Sequence, residues 1–210
     1  MKVEIRNNSV HIEGYVNVVE RNSRVLPSPR GKFIEQVKAK TFQRALDRQD
    51  NVDLLFNHKS DRKLGSTKDG SLQLWEDQIG LRAMADITDA EVIQKAKDNQ
   101  LTGWSFAFTT IKDSWQDGQD GMQHRTLEDI TLPEVSILSV TPAYIATSIE
   151  SRGEDTVITE HRNVEESVET VDNSTEEKPK EEVREKIDEK LINYSLTELE
   201  IELLKLKSRY

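Results

Sequence analysis

One serine stands where a nucleophile could sit: Ser105, two residues after a glycine in Thr102-Gly-Trp-Ser-Phe-Ala-Phe108 and at the head of an aromatic, strand-like run. A serine hydroxyl attacks poorly at neutral pH. It needs a base within hydrogen-bond reach to take its proton, and a third group to orient that base. The chain carries both types of residue: His58 ends the apolar run Val52-Asp-Leu-Leu-Phe-Asn-His58, and Glu134 opens Glu134-Val-Ser-Ile-Leu-Ser-Val140. Brought together, the three would support acyl transfer. Each also has an ordinary reading, since a strand serine usually faces solvent, a histidine at a strand end is usually a surface or packed residue, and a glutamate opening a strand is usually a solvated charge. Asp53 and Asp61 are open alternatives for the acid. Backbone N–H groups near Ser105, with help from Arg82 or Arg125, could stabilise an oxyanion, but sequence assigns none of them. His11 in the leading strand and His161 in an acidic stretch are weaker rivals of His58. No His/Asp/Glu cluster has metal-ligand spacing and no glycine-rich phosphate loop is present, so neither metal nor cofactor is expected.

Short elements must position these residues. Val10 to Val19 alternates as a strand, Leu26-Pro-Ser-Pro-Arg-Gly31 reads as a loop, and Thr41 to Arg48 places Phe42, Ala45 and Leu46 on one helical side. Val52 to Asn57 is short enough for a buried strand that would hold His58 at its rim. Lys68-Asp-Gly70 signals a hairpin, and Leu81 to Ile87 returns as a strand. Thr88-Asp-Ala-Glu91 has the form of a capping box, with Thr88 as the cap of a helix running to about Asn99. Strands follow over Ser105 to Ile111, Met122 to Leu132 and Glu134 to Val140, with a polar hairpin around Asp117 to Gly121. This succession predicts a mostly β fold with a few packed helices, as an antiparallel sheet or barrel.

Composition changes near residue 150. Charged residues are 32% of the chain and hydrophobic ones 35%, and residues 151–210 hold 17 Asp and Glu against 10 Lys and Arg, so −7 of the net charge of −10 lies there. The expected division is a domain over 1–150, an acidic disordered linker over 151–180 and a helical tail over 181–210, with helices at Glu181 to Asn193 and Ser195 to Arg209. Leu199, Leu203, Leu204 and Leu206 give the last helix an apolar stripe suited to a partner or to self-association. The acidic balance argues against nucleic acid as a partner. The absence of cysteine suits a reducing compartment. No stretch reads as a signal peptide or a membrane span, so a cytoplasmic protein with no membrane partner is expected.

The order His58, Gly-x-Ser105, Glu134-Val-Ser with the following Thr141-Pro-Ala-Tyr144 resembles the prohead proteases of tailed bacteriophages. Ile12-Glu-Gly-Tyr-Val-Asn-Val-Val19, Phe33-Ile-Glu-Gln-Val-Lys-Ala-Lys-Thr-Phe42, Leu64-Gly65 and Gly80-Leu-Arg-Ala-Met-Ala-Asp86 extend the likeness over about residues 10 to 150. The resemblance implies a herpesvirus-protease-like β-barrel and a serine endopeptidase with Ser105 as nucleophile, His58 as base and Glu134 as orienting acid. It implies action inside an assembling procapsid in the host cytoplasm, on scaffold segments, on the capsid protein precursor and on the protease itself. Herpesvirus proteases use a second histidine in the orienting role, which keeps His124 open as the third member. Against the enzyme stands a different class, a scaffold or assembly protein that keeps the fold without catalysis, for which the acidic segment and terminal helices are suitable material. A β-rich binding protein is the blandest reading.

Overall fold

Apolar alternation builds the first layer. In the computed structural model, which describes residues 1–28, 31–139, 159–163 and 167–174, Lys2–Ile5 (β1) pairs antiparallel with Val10–Val18 (β2). Val3, Ile5, Val10, Ile12 and Val16 are buried, as expected when alternate side chains of a strand share one face. Along the chain follow Leu26–Ser28 (β3), Gly31–Val37 (β4), Thr41–Arg48 (α1), Asp53–Phe56 (β5), Lys59–Ser66 (β6), Leu72–Glu76 (β7) and Gly80–Ile87 (β8). Then come Ala90–Lys97 (α2), Gly103–Asp117 (β9), Gln123–Leu138 (β10), Glu160–Asn163 (β11) and Glu169–Asp172 (β12).

The strands form two sheets. One runs β12-β1-β2-β8-β7; the other runs β11-β9-β10-β4-β3, with β5 also on β10 and β6 on β5. The expected predominance of strand holds, but among the described residues the sheets are open and no closed barrel forms. Three pairings are parallel: β10 with β4, β10 with β5, and β1 with β12. The reason lies in β10. The two strands expected over 122–132 and 134–140 are one long strand, with Pro133 at a register shift between Thr131 and Glu134, where a missing N–H is tolerated. Its first half pairs with β4 and its second with β5, so a single strand serves two neighbours on the same side.

Helix α1 has the expected bounds. Phe42 and Ala45 are fully buried, and Phe42 meets Phe106 edge-on with ring centroids 5.4 Å apart. The Glu76 carboxylate from β7 accepts from Lys40 N and Gln43 N, satisfying donors that a helix start leaves open. At α2 the cap is Asp89 rather than Thr88: its Oδ1 accepts from Val92 N at 3.0 Å, and Arg62 holds the same carboxylate. The predicted loop at Leu26 to Gly31 instead contributes β3 and the start of β4, paired through Leu26↔Phe33 and Ser28↔Gly31.

The largest correction concerns the acidic segment. Within 151–180, expected to be unfolded, residues 160–163 pair antiparallel with β9 and residues 169–172 pair parallel with β1. The described residues belong to one compact unit, Met1–Ser174, rather than to a domain closing near 150. Apolar burial contributes little to these strands beyond Val168, which packs on the core just before β12. Backbone ladders hold them, and at β11 so does a set of buried ion pairs. The helices expected at 181–193 and 195–209, and Thr141-Pro-Ala-Tyr144, lie outside the described residues.

Candidate active site

Three neighbouring strands carry the site. Ser105 on β9 lies directly across from Ser136 on β10, and Glu134 is two residues before Ser136, hence on the same face. At the head of β9, Gly103 has φ 151°, a conformation that side-chain-bearing residues rarely adopt, and this is the physical role of the glycine two before the serine. On the far side of β10, β5 pairs Asp53↔Glu134 through Phe56↔Ile137. Its chain then turns back into β6 through Asn57 and His58 alone, since Phe56 pairs with Lys59.

Both turn residues have positive φ, 53° and 58°, as a two-residue hairpin turn of this hand requires. Asparagine tolerates that region; histidine does so at a cost, on the order of 1–3 kcal/mol, that surrounding contacts must offset. Those contacts come from β10. Asn57 N donates to Ile137 O (2.9 Å), the Asn57 side chain donates to Ser139 Oγ (3.0 Å) and accepts from Ser139 N (2.9 Å), and His58 N donates to Ser136 Oγ (3.3 Å). The turn is thereby fixed over the serine strand.

The three predicted residues meet. His58 Nε2 lies 2.7 Å from Ser105 Oγ, and His58 Nδ1 lies 2.5 Å from Glu134 Oε1. The other carboxylate oxygen accepts from Ser136 Oγ at 3.3 Å, which fixes the carboxyl plane. Ser105 is only 2% exposed. Serine, imidazole and carboxylate hydrogen-bonded in series form the arrangement by which a hydroxyl proton moves to Nε2 while Nδ1–H is held by an anion.

Other candidates lie elsewhere. His124 pairs with Asp120 at 3.0 Å in the β9–β10 hairpin turn, and His11 pairs with Asp86 on the other sheet. Asp53 holds Lys63 and Asn51, and Asp61 is exposed. Arg82 is paired with Glu13 in the first sheet, and Arg125 lies in a buried ionic cluster.

His161, set aside from sequence as a weaker rival of His58, belongs to the site's surroundings. On β11 it sits beside the site, with Nδ1 3.1 Å from His58 Nδ1 and 3.7 Å from Glu134 Oε1, the two imidazoles edge-to-face at 4.3 Å. The β-branched run Thr156-Val-Ile-Thr159 just before it was the available strand signal inside the acidic stretch. Donor atoms of His58, Glu134 and His161 all lie within 4.8 Å of one another, a set remote in sequence that could hold a divalent ion. An ion there would take the Nδ1 and carboxylate that face each other in the serine–histidine–glutamate series.

Beside this, β11 delivers a second group of contacts. The Arg162 carbonyl oxygen accepts from Ser105 Oγ at 2.7 Å. Arg162 and Glu160 enter a buried cluster with Glu35 of β4 and Arg125 of β10: Arg162 grips Glu35 with two bonds (2.7 and 3.0 Å), and Arg125 grips Glu160 with two (2.8 and 2.8 Å). Burial opposes the charge on Glu160, but Arg162 and Arg125 outweigh it and hold its carboxyl below the ordinary glutamate range. For the two arginines burial likewise opposes the charge, and the facing glutamates more than restore it.

Open β-sheets carrying a serine, an imidazole and a carboxylate in hydrogen-bonded series describe the general class of serine hydrolases. Within that class the chain belongs to the caudovirus prohead serine protease family, whose model matches residues 1–166 and so reaches through β11. It is therefore a serine protease family member with a role in phage capsid maturation. No curated protein and no solved structure matches the chain. Among the described residues, no helix is long and apolar enough to cross a membrane.

Proposed function

We propose that Ser105, His58 and Glu134 are the catalytic triad of an endopeptidase that cuts scaffold segments and the capsid protein precursor, and its own chain, inside the assembling procapsid. The observation that carries this reading is the continuous series Ser105 Oγ, His58 Nε2, His58 Nδ1, Glu134 Oε1, with links of 2.7 and 2.5 Å. Ser105 Oγ attacks the peptide carbonyl carbon while His58 Nε2 takes the hydroxyl proton. The C–N bond then breaks, and the same proton passes to the leaving amine. Water attacks the acyl-enzyme, giving its proton to His58 and releasing the new carboxyl end and Ser105. Glu134 keeps His58 in the tautomer with hydrogen on Nδ1 and stabilises the imidazolium formed in each half-reaction.

A fluorophosphonate probe tests the assignment, because labelling requires an activated hydroxyl. Labelling at Ser105 that disappears in Ser105→Ala and His58→Ala, together with loss of capsid-precursor cleavage, is the expected result. A folded Ser105→Ala protein that still cleaves would overturn it, and a wild-type protein with no labelling and no cleavage would favour an assembly protein without catalysis.

A further inference from the structure

Among the described residues one peptide carbonyl lies against the nucleophile, that of Arg162 in the chain itself. We propose that β11 lies in the substrate position, and that the enzyme cleaves on the carboxyl side of arginine, with an acidic residue preferred two positions earlier and Glu35 as the residue that sets this specificity. The inference rests on Ser105 being the nucleophile and adds the substrate class.

Register is the first argument. A serine protease binds its substrate with the carbonyl carbon to be attacked against the hydroxyl oxygen and the carbonyl oxygen turned to backbone donors, and the side chain of that same residue fills the primary pocket. Arg162 is the residue in this register, and its carbonyl oxygen accepts from Ser105 Oγ at 2.7 Å, a resting orientation that turns before the carbon meets the hydroxyl. Its guanidinium is bound by both carboxylate oxygens of Glu35, at 2.7 and 3.0 Å, and lies 5.2 Å over the Phe108 ring. A planar carboxylate facing a planar fork above an aromatic face suits arginine better than lysine. Two residues earlier on the same strand face, Glu160 is gripped by Arg125. An extended peptide with glutamate, any residue, then arginine reproduces every one of these contacts.

Charge balance is the second. Removing β11 withdraws one arginine and one glutamate together, and leaves Arg125 facing two carboxylates, Glu35 at 3.1 Å and Asp113 at 2.7 Å. The net charge of the cluster is unchanged, but the buried Glu35 carboxylate loses both of its bonds from Arg162, which an incoming guanidinium restores and a neutral or acidic side chain does not.

Edge geometry is the third. β11 pairs antiparallel with β9 through Glu160↔Phe108, His161↔Ala107, Arg162↔Phe106 and Asn163↔Ser105, on the side of β9 away from β10. Once it leaves, that side offers a row of backbone donors and acceptors to a second extended peptide. While β11 is docked, Ser105 is 2% exposed and its Oγ lies 2.7 Å from the Arg162 carbonyl oxygen as well as from His58 Nε2, so the strand occupies the site in a resting arrangement.

The test uses full-length protein and quenched peptides of sequence Glu-Gln-X-Asn in a common frame, X being Arg, Lys, Gln, Leu or Glu. The expected kcat/KM ranks Arg first, above Gln by about 30-fold or more, as for a buried charge pair present or absent. Changing the leading Glu to Lys lowers it further, and Glu35→Gln brings the Arg-to-Gln ratio below about fivefold. Should Glu35→Gln fail to fold, the wild-type series decides alone. Labelling of Ser105 by fluorophosphonate with no preference for Arg would overturn this inference and leave the nucleophile standing. Absence of both labelling and cleavage would overturn the nucleophile assignment and this inference with it.

Discussion

β11 and β12 come from the same acidic, apolar-poor stretch, and each adds to a sheet edge, yet different forces hold them. β12 lies on β1 through its backbone: Glu169 N donates to Met1 O (3.0 Å) and Asn173 N to Ile5 O (2.9 Å), while Glu169, Val171 and Asp172 remain exposed. β11 buries Glu160 and Arg162 against Arg125 and Glu35. A ladder of backbone bonds with exposed side chains specifies register weakly, whereas paired buried charges punish any slip by leaving a charge unpaired. Ordering by buried charge is therefore placed at the edge that carries Ser105, and ordering chiefly by backbone, with one exposed side-chain bond from Asn173 to Glu4, at the edge that carries no such group.

Changes to the site should separate the two edges most sharply. Ser105→Ala or His58→Ala should lower kcat by on the order of 10⁴ to 10⁶ on any peptide, while Val171→Asp on β12 leaves it unchanged within twofold. Steady-state assays on folded variants measure this, and a large loss in the β12 variant would mean that both edges serve the site. Glu134→Gln should leave measurable activity, a loss on the order of 10⁴ against the larger loss for the base, and His161→Ala should cost less than about tenfold. If His161→Ala proves more damaging than Glu134→Gln, the orienting group belongs to β11 and not to β10.

Stability should split the edges next. Arg125→Met removes one partner from a buried ionic cluster and should cost about 3–5 kcal/mol in urea unfolding, because Glu160 and Glu35 are left short of a counter-charge. Glu169→Gln on β12 should stay within about 0.5 kcal/mol. Equal losses would mean that the cluster is no tighter than an exposed ladder.

Much of this was legible beforehand, and the failures share one cause. Thr41 to Arg48 announced its helix by apolar spacing, and Val52 to His58 its strand and rim histidine, because local patterns decide both. Ser105, His58 and Glu134 could be singled out by type and order, though not their hydrogen bonds, which depend on β10 lying between β9 and β5. His161 escaped because apolar content is the usual measure of whether a segment folds, and β11 is held by charges whose partners across the sheet are remote in sequence, Glu35 lying 127 residues from Arg162 and Arg125 lying 35 residues from Glu160. The capping box at Thr88 failed more narrowly: Asp89 is also a good cap, and Arg62 from β6 favours it.

Acid should release one edge and spare the other. The docked Glu160 carboxyl titrates below the ordinary glutamate value of 4.5, so undocking is accompanied by proton uptake once the pH drops beneath that value. The contribution of Glu160 to docking is thus fully present above the ordinary value and is lost as pH falls through the lowered one. Asp172 on β12 is also held low, by hydrogen bonds from Ser174, but that contact lies within its own segment and does not tie it to β1. Hydrogen exchange at a series of pH values should show protection of 160–163 falling in this acid window before that of 169–172. The reverse order would assign the acid response to β12.

A smaller effect than losing a triad member or a cluster arginine is expected at neither edge but at the turn that brings His58 to one of them. Asn57→Ala removes two hydrogen bonds to Ser139 and places a residue with a Cβ and no compensating amide at φ 53°. Each bond contributes about 1 kcal/mol and the left-handed conformation costs alanine about 1 kcal/mol more, so the loss in urea unfolding should be about 2–3 kcal/mol. Asn57→Gly loses the bonds but not the positive φ, and should cost less than alanine. Turnover should fall in the same order, by a few-fold, because a loosened turn spends less time with Nε2 at hydrogen-bond distance from Ser105. Equal losses for glycine and alanine would mean that the side-chain bonds to Ser139, and not the backbone conformation, hold the histidine in place.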